Sequence, residues 1–320
     1  MHVTAVLVAY NRRALVAEAL EALAAQTRPV DRLVVVDNAS DDGSSEVIDA
    51  QLAEWGDRGE VIRLTENTGG AGGFAVGIAA AVADGRTDWV WVMDDDTVPH
   101  PGALEGALGT HERYRETGQD DLVVMGSRVV WTDGDDHPMN TPKVKIGVSK
   151  AERQRAESVG AMPIRSISFV SAFLRAARVR ELGLPIADYF LWNDDFEYSA
   201  RLLRNGRGLF TPASVVTHKT KVRGSSDQDP GPRFFFEVRN KLWVFRASRA
   251  LKWWESVLYQ GASARRWLRT YRRSSDRAQL RDCLKRGWRE GWGRRPRPNA
   301  EVLADAGVPA DVLREIVALD

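Results

Sequence analysis

The sequence predicts an α/β protein built on a mostly parallel sheet, and three observations carry that prediction. Val3–Ala9 and residues 33–36 are β-branched runs of buried-strand type. Between them Leu15, Ala19, Ala22 and Leu23 recur at helical spacing, which makes a βαβ crossover with parallel strands. The 320 residues, 43% hydrophobic and 28% charged, suffice for a full core and exclude a disordered tail, a collagen or a coiled coil. The length fits two units, or one large α/β domain with an appendage.

The remaining elements follow in order. Residues 61–64 read as a third strand, 74–83 as a helix of small residues, and 89–93 as a fourth strand that runs into three aspartates. Ligands of such sheets bind beyond the carboxyl ends of the strands, where the polar clusters of this chain fall. After Asp120 the pattern turns irregular. Residues 133–142 and 147–160 read as loops or lids, 167–174 and 215–217 as strands, and 179–182 and 196–203 as helices. A Gly/Ser/Asp/Pro segment, 224–232, is the best boundary. It divides a sheet domain, 1–223, from a helical region, 224–320, whose last part, 299–320, carries little signal.

Asp94, Asp95 and Asp96 emerge together from the apolar fourth strand. Extended backbone puts Asp94 and Asp96 on one side, and two oxygen donors on one face suit a hard divalent ion, Mg2+ or Mn2+, shared with a substrate phosphate. An isolated Asp-Asp-Asp reads more simply as a solvated turn with a helix N-cap; the strand before it narrows that difference. Trp192-Asn-Asp-Asp-Phe-Glu-Tyr198 sets three acids at a helix start, where they either complement the helix dipole or supply a general base. His218 ends a short strand and is a structural residue or a cation ligand according to its company.

Residues 67–77, Asn-Thr-Gly-Gly-Ala-Gly-Gly-Phe-Ala-Val-Gly, are glycine-rich enough to let a ligand approach the backbone. They lack the spacing of a dinucleotide site and the Gly-Lys-Ser/Thr of a P-loop, which disfavours a dehydrogenase or an NTPase. Asp37 follows the second strand and suits either a turn or hydrogen bonds to a nucleotide base or ribose.

The charge is two-sided. Overall it is +1, yet residues 239–298 hold 18 Lys and Arg against four acids, a net of +14 that leaves −13 for the rest. Trp243, Phe245, Trp253, Trp254, Tyr259, Trp267, Tyr271, Trp288 and Trp292 interleave with those cations. Such a segment lies on an anionic membrane surface or packs as helices with its cationic heads in water. Nucleic acid is disfavoured because no recognised binding motif accompanies the patch. One cysteine, Cys283, allows no internal disulfide, and the start of the chain lacks signal-peptide features, so a cytoplasmic location is expected. No apolar stretch reaches the roughly 18 residues of a spanning helix.

Taken together, Val8-Ala-Tyr-Asn-Arg12, Val35-Val-Asp-Asn-Ala-Ser40, the glycine segment, Met93-Asp-Asp-Asp96 and Asp194-Asp-Phe-Glu197 resemble glycosyltransferase family 2. Asn67 to Ala75 and Asp229 to Asn240 look more narrowly like the actinobacterial galactofuranosyltransferases of cell-wall galactan, and the length like their smaller, initiating members. The likeness runs over roughly residues 3–250. It implies a GT-A fold with a basic C-terminal helical extension, a UDP-sugar donor, a divalent metal and inversion at the anomeric centre. It also implies an acceptor that is a polyprenyl-diphosphate-linked glycan, met at the inner face of the membrane by a peripherally associated protein.

By that resemblance Asp94, Asp96 and His218 hold the metal, and Asp195 is the base, with Asp194 and Glu197 beside it. Tyr10, Arg12, Asp37, Asp95 and the loop residues Asn67, Gly69, Gly70, Gly72 and Gly73 face the nucleotide sugar, and Trp192 faces the acceptor. The family usually carries Gly-Ala where this chain has Ser171-Ala172. The expected reaction is transfer of galactofuranose from UDP to a lipid-linked GlcNAc-rhamnose. The alternatives are a dTDP-rhamnose-dependent enzyme and a non-catalytic membrane-surface or nucleic-acid module.

Overall fold

A computed structural model describes residues 1–220 and 229–320. Most of the predicted boundary, 224–228, and the predicted domain end at 223 lie outside the described residues. The first half is the expected crossover series: β1 (Val3–Ala9), α1 (Arg13–Ala24), β2 (Arg32–Asp37), α2 (Ser44–Leu52), β3 (Gly59–Arg63), α3 (Gly69–Ala83) and β4 (Trp89–Asp94). The strands β3, β2, β1 and β4 lie side by side and parallel. Every residue of β1 is buried, and its side chains alternate between two cores. Val6 and Val8 join the core under α3, while Val3, Ala5 and Leu7 join the core under α1 and α2. Burial on both faces is why these strands read as continuous apolar runs.

The second half inserts antiparallel strands. After β5 (Thr97–Pro99) and α4 (Ala103–Glu116) come β6 (Leu122–Val130), β7 (Lys143–Val144), α5 (Lys150–Ser158), β8 (Met162–Ser166), β9 (Ala172–Arg175), α6 (Ala176–Leu182), α7 (Asp194–Leu202) and β10 (Arg207–His218). Among the described residues the sheet order is β3-β2-β1-β4-β9-β6-β10-β8-β7, with β5 on β10. The strand β9 is antiparallel to both β4 and β6, and β10 is parallel to β6.

Four sequence expectations change. Of the strand predicted over 167–174 only 172–174 is strand, in β9; 167–171 is a bend that follows β8. The Ser199 hydroxyl ties both N–H and C=O of Ile167 (3.1 Å each), which turns the chain away from the sheet. The segment 147–160 contains α5, which the polar sequence Lys-Ala-Glu-Arg-Gln-Arg-Ala-Glu-Ser concealed. Its start is capped by Ser149 accepting from Glu152 N, 3.1 Å. The short strand at 215–217 is the end of the 12-residue β10, whose register shifts between Thr211 and Val215. The helix expected from 74 begins at Gly69, so most of the glycines lie inside it.

Those glycines serve packing. A Cβ at Gly73 would stand 2.5 Å from Val8, and one at Gly77 2.4 Å from Val6, so α3 lies closer to β1 than any larger residue permits. Beyond the described gap, α8 (Phe234–Arg246), α9 (Trp253–Arg273), α10 (Arg277–Gly293), α11 (Asn299–Val302) and α12 (Ala310–Leu319) complete the chain. Gly287 and Gly291 let α10 settle against Val238 and Leu242 of α8. The weakly informative end joins the main core, with Leu303, Ala306, Val312 and Ile316 packed in the α3 cluster.

Candidate active site

The carboxyl ends of β1, β4 and β10 meet at one place because of register. Val8 pairs with Asp94, and His218 pairs with Thr97, so the turn Asp94–Asp96 is held between β1 and β10. Lys219 N donates to Asp96 O (2.8 Å) and locks that turn. One donor atom each from Asp94, Asp96 and His218 fall within 4.8 Å of one another. This is the set the aspartate triplet and the lone histidine suggested.

The set suits a divalent cation on its own chemistry. Asp96 Oδ1 is buried and makes no hydrogen bond; Nε2 of His218 stands 3.1 Å away, close but not aligned as a donor. A buried carboxylate oxygen without a partner is costly, and a cation beside it removes that cost. Two carboxylates and one imidazole are donors that Mn2+ or Mg2+ accept. The other imidazole nitrogen, Nδ1, is 2.9 Å from Asn140 Oδ1, which leaves Nε2 toward the aspartates.

Around this set stand Tyr10 and Arg12. Tyr10 N donates to Asp95 Oδ2 (2.9 Å), and Arg12 reaches Asp95 Oδ1 (3.1 Å) and Asp96. The phenol of Tyr10 is exposed, and the Arg12 side chain is about half exposed. Burial, then Asp96 and Asp95, push Asp94 well above the usual carboxylate range. Burial raises Asp95 to about 6 against the pull of Arg12. For Asp96 burial acts upward too, but His218 and Arg12 outweigh it and hold it low.

Trp192, Asp194 and Asp195 come from a strained turn. Phe190, Trp192 and Asn193 all have positive φ (61°, 67° and 66°) just before α7. Such conformations in bulky residues persist only when their surroundings enforce them. Here α8 does so: Asn240 Nδ2 donates to the carbonyls of Tyr189, Leu191 and Trp192 at 2.8–2.9 Å, and Arg239 to those of Asp188 and Tyr189. Asn193 in turn donates to Glu237 (3.0 Å).

The three acids of α7 differ. Asp195 accepts from Phe196 N (2.6 Å), with the Ser168 hydroxyl and the Lys241 ammonium favouring its carboxylate although burial raises it overall. Asp194 is raised to about 8, by burial first and by Asp195 second, and is the protonated partner at neutral pH. Glu197, grouped with the catalytic acids from sequence, is fully buried and paired with Arg201 Nε (2.9 Å) and Ser248, which makes it a structural ion pair. Where Asp194 ionises it helps to raise Asp94, so the start of α7 lies near the aspartate turn.

The other positions predicted to face the nucleotide have these partners within the fold. Asp37 is buried and accepts from Ser40 N (3.0 Å) and the Ser45 hydroxyl, the turn role. Asn67 Oδ1 accepts from Gly69 N (2.8 Å). Gly69, at φ +72°, abuts the Phe190 carbonyl; Gly72 and Gly73 pack on Thr68 and Val8; only at Gly70 among these four would a Cβ meet open space. Ser171 is buried in a hydroxyl chain with Trp91, Ser127 and Ser214 rather than facing a ligand. Sequence reasoning missed Asn38, which holds Asn67, Thr68 and Gly69, and missed Asn140, Ser168 and Asn240. Loop amides carry no periodicity, and the motifs Val35 to Ser40 and Asp229 to Asn240 contained Asn38 and Asn240 without assigning them a role.

Comparison with known proteins agrees with this arrangement. The profile of glycosyl transferase family 2 matches residues 4–175. Galactofuranosyltransferase GlfT1 of Mycobacterium tuberculosis (strain H37Rv) is 30% identical over 263 residues, 76% of this chain and 81% of the relative. Among solved structures, S. aureus TarS 1-349 in complex with UDP superposes with a TM-score of 0.61 at 13% identity, covering 99% of this chain and 89% of that one. GalNAc-T7 with UDP, GalNAc and Mn2+ has the same TM-score at 13% identity, covering 97% and 58%. These two likenesses are of fold, and the fold is GT-A. Among the described residues no helix is long and apolar enough to cross a membrane.

Proposed function

Starting from a chain that belongs to glycosyl transferase family 2 and is a glycosyltransferase, we propose that it moves galactofuranose from UDP-galactofuranose to a polyprenyl-diphosphate-linked GlcNAc-rhamnose acceptor, with inversion. The observation that carries the reading is the meeting of Asp94, Asp96 and His218 at the carboxyl ends of the strands. The choice of sugar follows the likeness to the mycobacterial galactofuranosyltransferase.

Asp94, Asp96 and His218 would hold Mn2+ or Mg2+, which supplies positive charge to the departing diphosphate. Arg12, about half exposed and anchored on Asp95 and Asp96, adds a fixed cation on the same side. Asp195 takes the proton of the attacking hydroxyl, and a single displacement from the face opposite UDP inverts the anomeric carbon. Asp194, protonated, leaves that base role to its neighbour. Trp192 offers its ring to the acceptor.

The basic, aromatic helices are proposed to rest on the anionic inner surface of the membrane where such an acceptor resides. Arg281, Lys285, Trp288, Arg289 and Trp292 share the exposed face of α10, a pattern suited to lipid headgroups. The deciding experiment is a donor screen with Mn2+ and a synthetic polyprenyl-diphosphate GlcNAc-rhamnose. Turnover with UDP-galactofuranose alone supports the reading; turnover only with another sugar nucleotide refutes it.

A further inference from the structure

Lys241 of α8 is a buried cation without an ion-pair partner among the described residues. It is 8% exposed, and its Nζ lies 4.2 Å from the centre of the Phe196 ring. Among the described residues no oxygen accepts a hydrogen bond from that ammonium. Glu237, one helical turn earlier, is already taken: Asn193 holds Oε2 (3.0 Å), and Trp267 (3.2 Å) and Arg266 hold Oε1. Burial lowers Lys241 to about 8, which still leaves an ammonium at neutral pH. Three donors of a desolvated charge thus stand without an acceptor, a cost that an anion beside them removes.

Three contacts place this ammonium along the turn that presents the base. On α8, Glu237 meets Asn193, the Asn240 amide meets the Trp192 carbonyl (2.8 Å), and Lys241 covers Phe196. Residues 192, 193 and 196 bracket Asp195, whose carboxylate accepts from Phe196 N. The groups assigned to the donor's diphosphate, Asp94, Asp96, His218 and Arg12, come from the strand ends, whereas Lys241 comes from α8. A lipid-linked acceptor brings a second diphosphate, and none of the residues assigned so far receives it.

Resting on the reading of the acceptor as a lipid-linked diphosphate, we propose that Lys241 donates to that diphosphate and so selects anionic over neutral acceptors. The stem of the side chain is held inside the protein, and its head is pinned over an aromatic ring. The ammonium is therefore preorganised, and a phosphate that meets it pays little for further ordering.

The test compares the full chain with Lys241→Met, a side chain of similar length without the charge. Two acceptors are used: polyprenyl-diphosphate GlcNAc-rhamnose and the same polyprenyl glycoside lacking the diphosphate. The parent should favour the diphosphate. Lys241→Met should raise KM for the diphosphate acceptor roughly 10–100-fold, the worth of a hydrogen bond to a charged group, and leave KM for the neutral one within a few-fold. The lost charge also favoured the Asp195 carboxylate, which lowers kcat for both acceptors alike, so the preference between them reads the contact. UDP affinity in calorimetry should stay unchanged. An equal change in KM for the two acceptors, no change, or a parent that does not distinguish them would overturn the proposal. If the parent transfers sugar to neither, the proposed function fails, and calorimetry with a short-chain prenyl diphosphate judges the site by itself. Binding that weakens in Lys241→Met supports the site; binding equal in both proteins, or absent from the parent, overturns it.

Discussion

Two adjacent carboxylates at the start of α7 are both raised by burial, but their surroundings differ. Asp195 keeps three groups that favour its anion: Phe196 N–H, Ser168 and Lys241. Asp194 lies beside that negative charge in a buried position. Asp195→Asn should abolish transfer, by at least about 10^2-fold as expected of a lost general base, while UDP affinity changes little in calorimetry. Asp194→Asn imitates a protonated carboxyl and should keep kcat within about tenfold. A second consequence concerns stability. The unfolded chain releases the Asp194 proton near 3.8 and the folded chain holds it to about 8, so folding stability falls as pH rises between those values. Urea midpoints compared at pH 5 and pH 8 should show that fall in the parent and a smaller one in Asp194→Asn.

At the scale of elements, the site depends on α8 forcing the turn before α7. The positive φ values at Phe190, Trp192 and Asn193 cost energy that the three Asn240 hydrogen bonds offset. Asn240→Ala should lower stability by roughly 2–4 kcal/mol, taking about 0.5–1.5 kcal/mol for each lost bond, and should reduce kcat because Asp195 loses its bearing. Urea unfolding together with steady-state kinetics checks both. The α8 segment is also anchored from behind: Glu237 accepts from Trp267 Nε1 (3.2 Å) and pairs with Arg266 of α9. Arg165 of β8 is bound by Glu255 at 2.7 Å and by the carbonyls of Ala200 and Ala250. The basic helices are therefore tied to the turn before α7 by buried polar contacts, which answers part of the charge pattern without any lipid.

For the whole molecule the remaining charge divides by exposure. Trp243 is fully buried and braces Tyr189, whereas Trp253, Trp288 and Trp292 are exposed. The packed and the exposed halves of the interleaved pattern thus have different causes. Sedimentation with vesicles containing anionic lipid should carry the protein down at low salt and release it as salt rises, and Trp253→Ala with Trp288→Ala should weaken it. Pelleting that ignores lipid charge would remove the membrane reading.

The first four strands, the aspartate turn and the acids at the start of α7 were legible in the chain because each rests on local rules: β-branched runs, side-chain alternation, and turn residues at strand ends. Local rules also misled where polar or interrupted segments hid structure, as at α5 and at the bend between β8 and β9. Whether His218 belonged with Asp94 and Asp96 was decided by the pairing of β5 with β10, a contact between residues more than a hundred positions apart. The same holds for the Asn240 clamp. Hydrogen-bonding side chains in irregular segments acquire partners only when distant strands and helices are packed, so no window of sequence contains the reason for them.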